Sequence, residues 1–282
     1  MAQLLPLAES IAQHVGDGAC VALEGFTHLI PFAAGHELIR QGRRDLHLVR
    51  MTPDLIYDQL IGAGCARRLT FSWGGNPGVG SLHRLRDAVE HGWPRALEID
   101  EQTHAGMAAA YRAGAARLPF GMLRGYIGTD LVQHNPRIRK VTCPYTGEEI
   151  ATVPAINPDV TIIHAQRADR AGNVAIDGIV GAAREAALAA TKLLVTVEQI
   201  VDALPPAMNN VLLPHFTVTA VSHCPGGAWP SYAHGHYARD NDFYLRWDAI
   251  ARDRAGFTAW IDRHVRGTKD HREFLASLRE VA

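Results

Sequence analysis

Short apolar runs rich in β-branched residues alternate with stretches of helical periodicity along most of this chain, and that alternation leaves few folds open. CVALEG (20–25), LHLVRM (46–51), RLTFSW (68–73), VTIIHA (160–165) and KLLVTVE (192–198) are short and apolar on both faces, as strands covered on two sides must be. Between them, LAESIAQHV, DLIYDQLIGAG, SLHRLRDAVEHG, THAGMAAAYRAG and AAREAALAA repeat their apolar residues at helical spacing. The alternation predicts an α/β fold with a mainly parallel sheet and helices on both faces. Asp54 and Ser81 are expected as helix N-caps, and Gly62, Gly64, Gly92 and Gly114 as stops. From Asn241 onward the pattern is helical and charged. It predicts two or three helices over 241–282, GFTAWIDRHV among them, packed on the sheet or on a partner. No internal repeat or low-complexity linker divides the sequence, so 1–282 reads as a single domain.

A chain of 282 residues can bury most of the surface that its unfolded form exposes, so it needs no disulfide or metal staple. Its four cysteines, Cys20, Cys65, Cys143 and Cys224, are scattered without a CxxC pair; the spacing suits neither a disulfide framework nor zinc, and a reducing cytoplasm is the expected compartment. MAQLLPLAES lacks the basic start of a signal peptide. With 28 Lys and Arg against 29 Asp and Glu, no basic surplus exists to neutralise a phosphate backbone, which argues against nucleic acid as a partner. The near-zero net charge leaves association with another chain electrostatically easy. Residues 203–238 carry no Asp, Glu, Lys or Arg. Pro205, Pro206, Pro214, Pro225 and Pro230 break that stretch, so it is not a membrane span; it is expected to be covered by protein or substrate.

Three loops stand where an α/β sheet places ligands, at the carboxyl ends of strands. EGFTHLIP (24–31) offers Gly25 for close backbone approach and amides that could hold a developing oxyanion; its alternative is a tight turn with Phe26 plugged into the core. SWGGNPGVGS (72–81) is glycine-rich without matching a dinucleotide or phosphate-loop signature. Its amides are expected to face an anionic or carbonyl ligand, the alternative being an empty turn. HCPGGAWPSYAHGHY (223–237) groups His223, Cys224, His234 and His236, but at no familiar zinc spacing, and a buried substrate or interface loop is the better reading.

Catalytic signatures are missing: GxSxG, HExxH and SxxK do not occur. His36–Glu37 reads as part of an ordinary amphipathic helix. Glu98, Asp100 and Glu101 read as a solvated helix start, with acid–base work open to any of them that is buried. His104 could be a core-edge histidine. The residues by themselves indicate ligand-ready loops and no nucleophile.

EGFTHLIPFAAGHELIRQGRRDLHLVRMTPD, SWGGNPGVGSLHRLRDAVEHG, RAGAARLPF and PGGAWPSYAHGHYARDNDFY, in that order, resemble the A (α) subunits of two-subunit class I CoA-transferases. The likeness runs from about residue 5 to 274 and is greatest to members of the 3-oxoadipate type, with glutaconate CoA-transferase A subunits similar but more distant. It implies the CoA-transferase fold, no permanently bound cofactor, CoA thioesters and carboxylic acids as substrates, and a B subunit in an A2B2 assembly. In this family a glutamate of the B subunit forms an acyl anhydride and then a CoA thioester, which accounts for the missing nucleophile. The resemblance places Gly25, Phe26 and Thr27 beside the thioester carbonyl, Ser72, Gly74, Gly75 and Asn76 in a second active-site loop, and Thr103 and His104 at the acyl pocket. Some relatives on the same scaffold are ring-opening hydrolases of CoA thioesters, in which an acid on the A chain activates water; Glu101 is the matching position here. A non-enzymatic scaffold that senses CoA esters is the third reading. Glu24 stands where many members carry a second glycine, and a carboxylate there would repel dicarboxylic acids unless paired or turned away. Trp229 stands where relatives commonly carry histidine, which enlarges the apolar surface of its loop.

Overall fold

The computed structural model describes residues 2–205 and 210–279. Its first half lays down β1 (Gln3–Leu4), α1 (Leu7–His14), β2 (Cys20–Glu24), α2 (Phe32–Arg40), β3 (Leu46–Val49), α3 (Leu55–Gly62), β4 (Ala66–Phe71), α4 (His83–Glu90), β5 (Glu98–Glu101) and α5 (His104–Ala115). Next come β6 (Phe120–Leu123), α6 (Leu131–His134), β7 (Arg139–Thr142) and β8 (Glu149–Pro154), followed by β9 (Val160–Asp169), β10 (Val174–Asp177), α7 (Ala183–Ala189), β11 (Lys192–Val201), β12 (Asn210–Leu213) and β13 (Ala220–His223). The chain ends in α8 (Asn241–Arg252), α9 (Arg254–Trp260), a π-helical turn (Ile261–Arg266) and α10 (His271–Arg279).

Eight strands pair in parallel in the order β1-β13-β11-β9-β2-β3-β4-β5, and β10 adds an antiparallel branch between β9 and β12. Side chains alternate across the sheet because strand residues point to opposite faces in turn. Val21 and Leu23 of β2 therefore join Leu46, Leu48 and Leu69 against α1 to α4 and the C-terminal helices. Ala22 and Val49 face the other way, onto Met107 and Tyr111 of α5 and Ala186 of α7. The C-terminal helices bring Phe243, Trp247, Phe257 and Phe274 into the first of these cores. No helix among the described residues is long and apolar enough to cross a membrane.

Several local expectations change. Asp54 holds the N-cap position of α3, but Ser81 falls one residue short of the cap position of α4, Leu82. Asp58 takes over that duty from α3: its Oδ1 accepts the amides of Arg84 and Leu85 at 2.8 and 2.9 Å. Gly114 lies inside α5 rather than ending it, because a Cβ there would meet Ile156 O at 2.1 Å. His36 and Glu37 sit on the polar side of α2 as expected, but that side too is buried, from Phe32 to Ile39. Glu98, Asp100 and Glu101 form strand β5 instead of a solvated helix start, with Asp100 buried beneath Arg68 (3.0 Å) and Arg137 (2.9 Å). A separate antiparallel sheet, β6-β8-β7, follows α5 and has no counterpart in the strand pattern read from the sequence.

Candidate active site

After β2 the chain order reverses: β3, β4 and β5 extend the sheet to one side, β9, β11 and β13 to the other. Loops at such a switch point leave a crevice, and the first candidate loop stands there. Its backbone is tightly curled. A Cβ on Gly25 would lie 2.6 Å from Leu29 O, and Thr27 and Leu29 adopt left-handed φ of 61° and 53°. A left-handed φ strains residues that carry a Cβ, so the surroundings must hold them.

The uncharged 203–238 stretch supplies that hold. Leu29 N donates to Tyr232 O at 3.0 Å, Ile30 N to Ser231 Oγ at 3.3 Å and Ala33 N to Gly227 O at 2.9 Å, while the His28 ring stacks on Tyr232 at 4.8 Å. The bracing loop is anchored in turn to Glu198 of β11, which accepts from Gly226 N at 2.9 Å and from Tyr237 OH at 2.7 Å. Burial opposes the charge on Glu198, but its bond to His164 (2.7 Å) and these two donors hold its carboxyl below the usual range. The third loop thus buttresses the first, and among the described residues its histidines and Cys224 do not converge on a metal-binding group.

Glu24 is turned away from the crevice. It is 3% exposed, and its Oε1 accepts Tyr111 OH at 2.8 Å and Met51 N at 3.1 Å on the α5 side of the sheet. Burial raises its carboxyl above the ordinary range, against the pull of Arg50. Arg50, fully buried, binds Asp54 at 3.0 Å and Gly25 O at 2.9 Å, tying the first loop to the start of α3.

The second loop differs from its expected form. Ser72 and Trp73 donate their amides to Met51 O, Gly75 to Pro53 O and Asn76 to Gly80 O, so these groups are consumed within the fold. Asn76 is buried with its Nδ2 on Tyr244 O. What the loop presents to the crevice is Trp73 and Pro77. Thr103 caps α5 by accepting Gly106 N at 3.0 Å. His104 is exposed in the first turn of α5, with Nδ1 3.2 Å from Ser72 Oγ. Ser72 has one hydroxyl hydrogen and directs it to Met51 O at 2.6 Å, so His104 Nδ1 must be the donor of the second bond. That arrangement leaves His104 Nε2 free and prevents the histidine from deprotonating Ser72.

These elements enclose a cleft of about 160 Å³ lined by Phe26, Thr27, Arg50, Asp54, Trp73, Pro77, His104, Arg239 and Tyr244, with Ile30 and Thr52. Phe26, Thr27 and His104 are together there. Ser72 supports from behind, Gly25, Gly74, Gly75 and Asn76 shape the loops, and Glu101 lies elsewhere, exposed in a second cleft with Arg68, Leu131 and Asn135. Arg50, Arg239 and Tyr244 escaped the sequence reading as site residues. Signals existed: Arg50 puts a charge at the end of the apolar run LHLVR, and Arg239 is the first charge after 36 uncharged residues. Burial raises the thiols of Cys20, Cys65 and Cys224 to about 12, so none of the three is a thiolate nucleophile near neutral pH.

Residues 5–223 match the Coenzyme A transferase family. The chain is 65% identical over 280 residues, covering 99% of both sequences, to the A subunit of the 3-oxoadipate CoA-transferase of Pseudomonas knackmussii. It is 31% identical to the A subunit of the glutaconate CoA-transferase of Acidaminococcus fermentans, covering 99% of this chain and 92% of that one. The crystal structure of the Acidaminococcus fermentans glutaconate CoA-transferase superimposes with a TM-score of 0.90 at 29% identity, over 98% of this chain and 93% of the other. The family match over residues 5–223, the near full-length similarity to A subunits and the shared fold lead to one conclusion: the chain belongs to the coenzyme A transferase family.

Proposed function

We propose that this chain is the A subunit of a heteromeric CoA-transferase that moves CoA from succinyl-CoA to 3-oxoadipate, paired with a B subunit in an A2B2 assembly. The observation that supports the reading is a small cleft whose described lining includes no serine or cysteine and no free carboxylate. Its one carboxylate among the described lining residues, Asp54, is buried and paired with Arg50. The Ser72–His104 pair runs in the wrong direction for a serine nucleophile. A glutamate supplied by the partner completes the chemistry: it attacks the thioester of succinyl-CoA and CoA thiolate leaves, and CoA thiolate then attacks the glutamyl carbonyl of the resulting anhydride, expelling succinate and leaving an enzyme thioester. The acceptor acid then takes the CoA by the reverse steps.

In that sequence the curled backbone at Gly25, Phe26 and Thr27 stands beside the reacting carbonyl. Donors fixed in advance stabilise charge that develops only in the tetrahedral state, without reorganising when it forms. His104 Nε2 faces the acyl group, its ring orientation set by Ser72. Gly74, Gly75 and Asn76 hold Trp73 at the cleft, and Thr103 fixes the start of α5. The ring-opening hydrolase reading would call on Glu101, which lines a different cleft with Arg68 and Asn135, so the features of this cleft favour transfer.

The test is CoA exchange from succinyl-CoA to 3-oxoadipate by this chain alone, by its B partner alone and by the pair. Formation of 3-oxoadipyl-CoA only by the pair is expected. Transfer by the isolated chain, or none by the assembled pair, overturns the reading.

A further inference from the structure

The cleft holds one positive charge that no carboxylate within ion-pair distance answers. Arg50 is matched by Asp54 at 3.0 Å, and the buried or half-buried Arg68, Arg84 and Arg167 have Asp100, Asp87 and Asp177 at 3.0, 2.9 and 2.6 Å. Arg239, half-buried on the same cleft, makes no ion pair among the described residues. Its contacts fix its orientation without neutralising it. One terminal nitrogen donates to Pro77 O at 2.6 Å, its guanidinium carbon lies 3.8 Å from the centre of the Tyr244 ring, and its Nε is buried without a partner. Arg50 is answered by Asp54 and pulls on Glu24 as well, which leaves Arg239 as the cation of the cleft with no carboxylate among the described residues at ion-pair distance, Asp54 acting on it only from farther off.

We propose that Arg239 is a specificity-determining residue that binds the carboxylate an acyl group retains, while the carboxyl being activated lies at Phe26, Thr27 and His104 in the same cleft. This rests on reading the chain as part of an acid-accepting CoA-transferase. Succinyl-CoA and 3-oxoadipyl-CoA each keep one free carboxylate beyond the thioester, so one cation serves donor and acceptor in turn. A planar guanidinium already stacked and pinned at one corner offers a remaining edge to a carboxylate and loses little freedom on binding. Charge-assisted bonds of this kind discriminate strongly against a methyl in place of the carboxylate, because the cation is then left unpaired in a partly buried site.

The experiment compares 3-oxoadipate with 3-oxohexanoate, which replaces the retained carboxylate by a methyl, as acceptors for the assembled pair carrying wild-type chain, Arg239→Met or Arg239→Lys. The ratio of kcat/KM values, dicarboxylic over monocarboxylic, is expected to fall at least tenfold in Arg239→Met, mostly through KM, with Arg239→Lys in between. An equal loss on both acceptors would overturn the proposal and leave Arg239 a brace for Pro77. Should the variants fail to assemble, competitive inhibition of the wild-type pair decides: adipate must bind at least tenfold tighter than hexanoate, and equal inhibition rejects the assignment. A wild-type pair that transfers CoA to neither acid overturns the transferase reading itself, and the role of Arg239 falls with it.

Discussion

Tyr111 donates its phenolic hydrogen to Glu24 at 2.8 Å on the α5 face of the sheet, the face to which strand alternation turns this buried carboxyl, away from the cleft. Tyr111→Phe removes the donor while keeping the ring, and leaves the Glu24 oxygen with Met51 N alone. Loss of one partner from a buried charged group costs about 1–3 kcal/mol. Urea unfolding is expected to show a drop of that size with an unchanged m-value; a drop under about 0.5 kcal/mol would mean that water or a rotamer change replaces the bond.

Two glycines in neighbouring loops separate shape from flexibility. Gly25→Ala pushes a methyl against Leu29 O and must uncurl the first loop, whereas Gly80→Ala meets nothing within 4 Å. Gly25→Ala is expected to lower kcat of the assembled pair about a hundredfold, the scale of losing an oxyanion donor. Gly80→Ala is expected to stay within a factor of about three of wild type, on the scale of a substitution that disturbs no contact. Steady-state kinetics of both variants check this, with comparable loss in the two counting against a role for the loop's geometry.

Asp58 joins three helices, accepting the first amides of α4 and Trp247 Nε1 of α8 at 3.1 Å. Burial raises its carboxyl to about 6. Asp58→Ala leaves three donors without an acceptor in a dry interior, a loss of at least about 3 kcal/mol. Thermal unfolding of the variant measures it. A small change would show that α4 is capped by solvent.

Stability should fall as the solution is made acidic, beginning above the carboxylate range. Burial lowers His271 to about 4, and burial followed by Arg68 lowers His47 to about 4, from 6.5 for the free side chain. Between pH 6.5 and 4 the unfolded chain binds protons that His271, His47 and His36 refuse in the folded chain, while the raised Asp58 takes one up on folding and offsets part of the difference; the histidines outnumber it, so unfolding free energy rises with pH across that window. His271, wholly enclosed, accounts for about 3 kcal/mol of the loss on going down. Below the ordinary carboxylate range the depressed Glu198 adds to it, since its stabilisation is lost as pH drops through its folded value. Chemical unfolding curves from about pH 7 to about pH 4 should slope accordingly, and His271→Gln should flatten part of the slope.

Five strands of the central sheet, β2, β3, β4, β9 and β11, were legible because each is a short apolar run bounded by turn residues; 20–25, 46–51 and 192–198 all contain the observed β2, β3 or the start of β11. Strands β5 and β7 were not legible. EIDE and RKVT are polar, and their strand state comes from pairing with β4 and β8, which no local pattern records. Ser81 failed as a cap for a related reason: a carboxylate from another helix reached the same amides first.

By itself the sequence determined the α/β alternation, the parallel sheet and the three loops at its carboxyl edge, since all of these follow from residue type and local spacing. Tertiary structure alone decided which groups meet. Phe26, Thr27 and His104 share a cleft with Arg239, a residue far along the chain from all three, while Glu101, a near neighbour of His104 in sequence, is carried off by its strand. The uncharged 203–238 stretch shows the same division. Its composition led to the expectation that it is covered, yet Leu212 and Phe216 stand 53% and 78% exposed, and only the packed chain shows that residues 227–232 brace the strained Thr27 loop, because hydrogen bonds such as Leu29 N to Tyr232 O depend on distance in space and not along the chain.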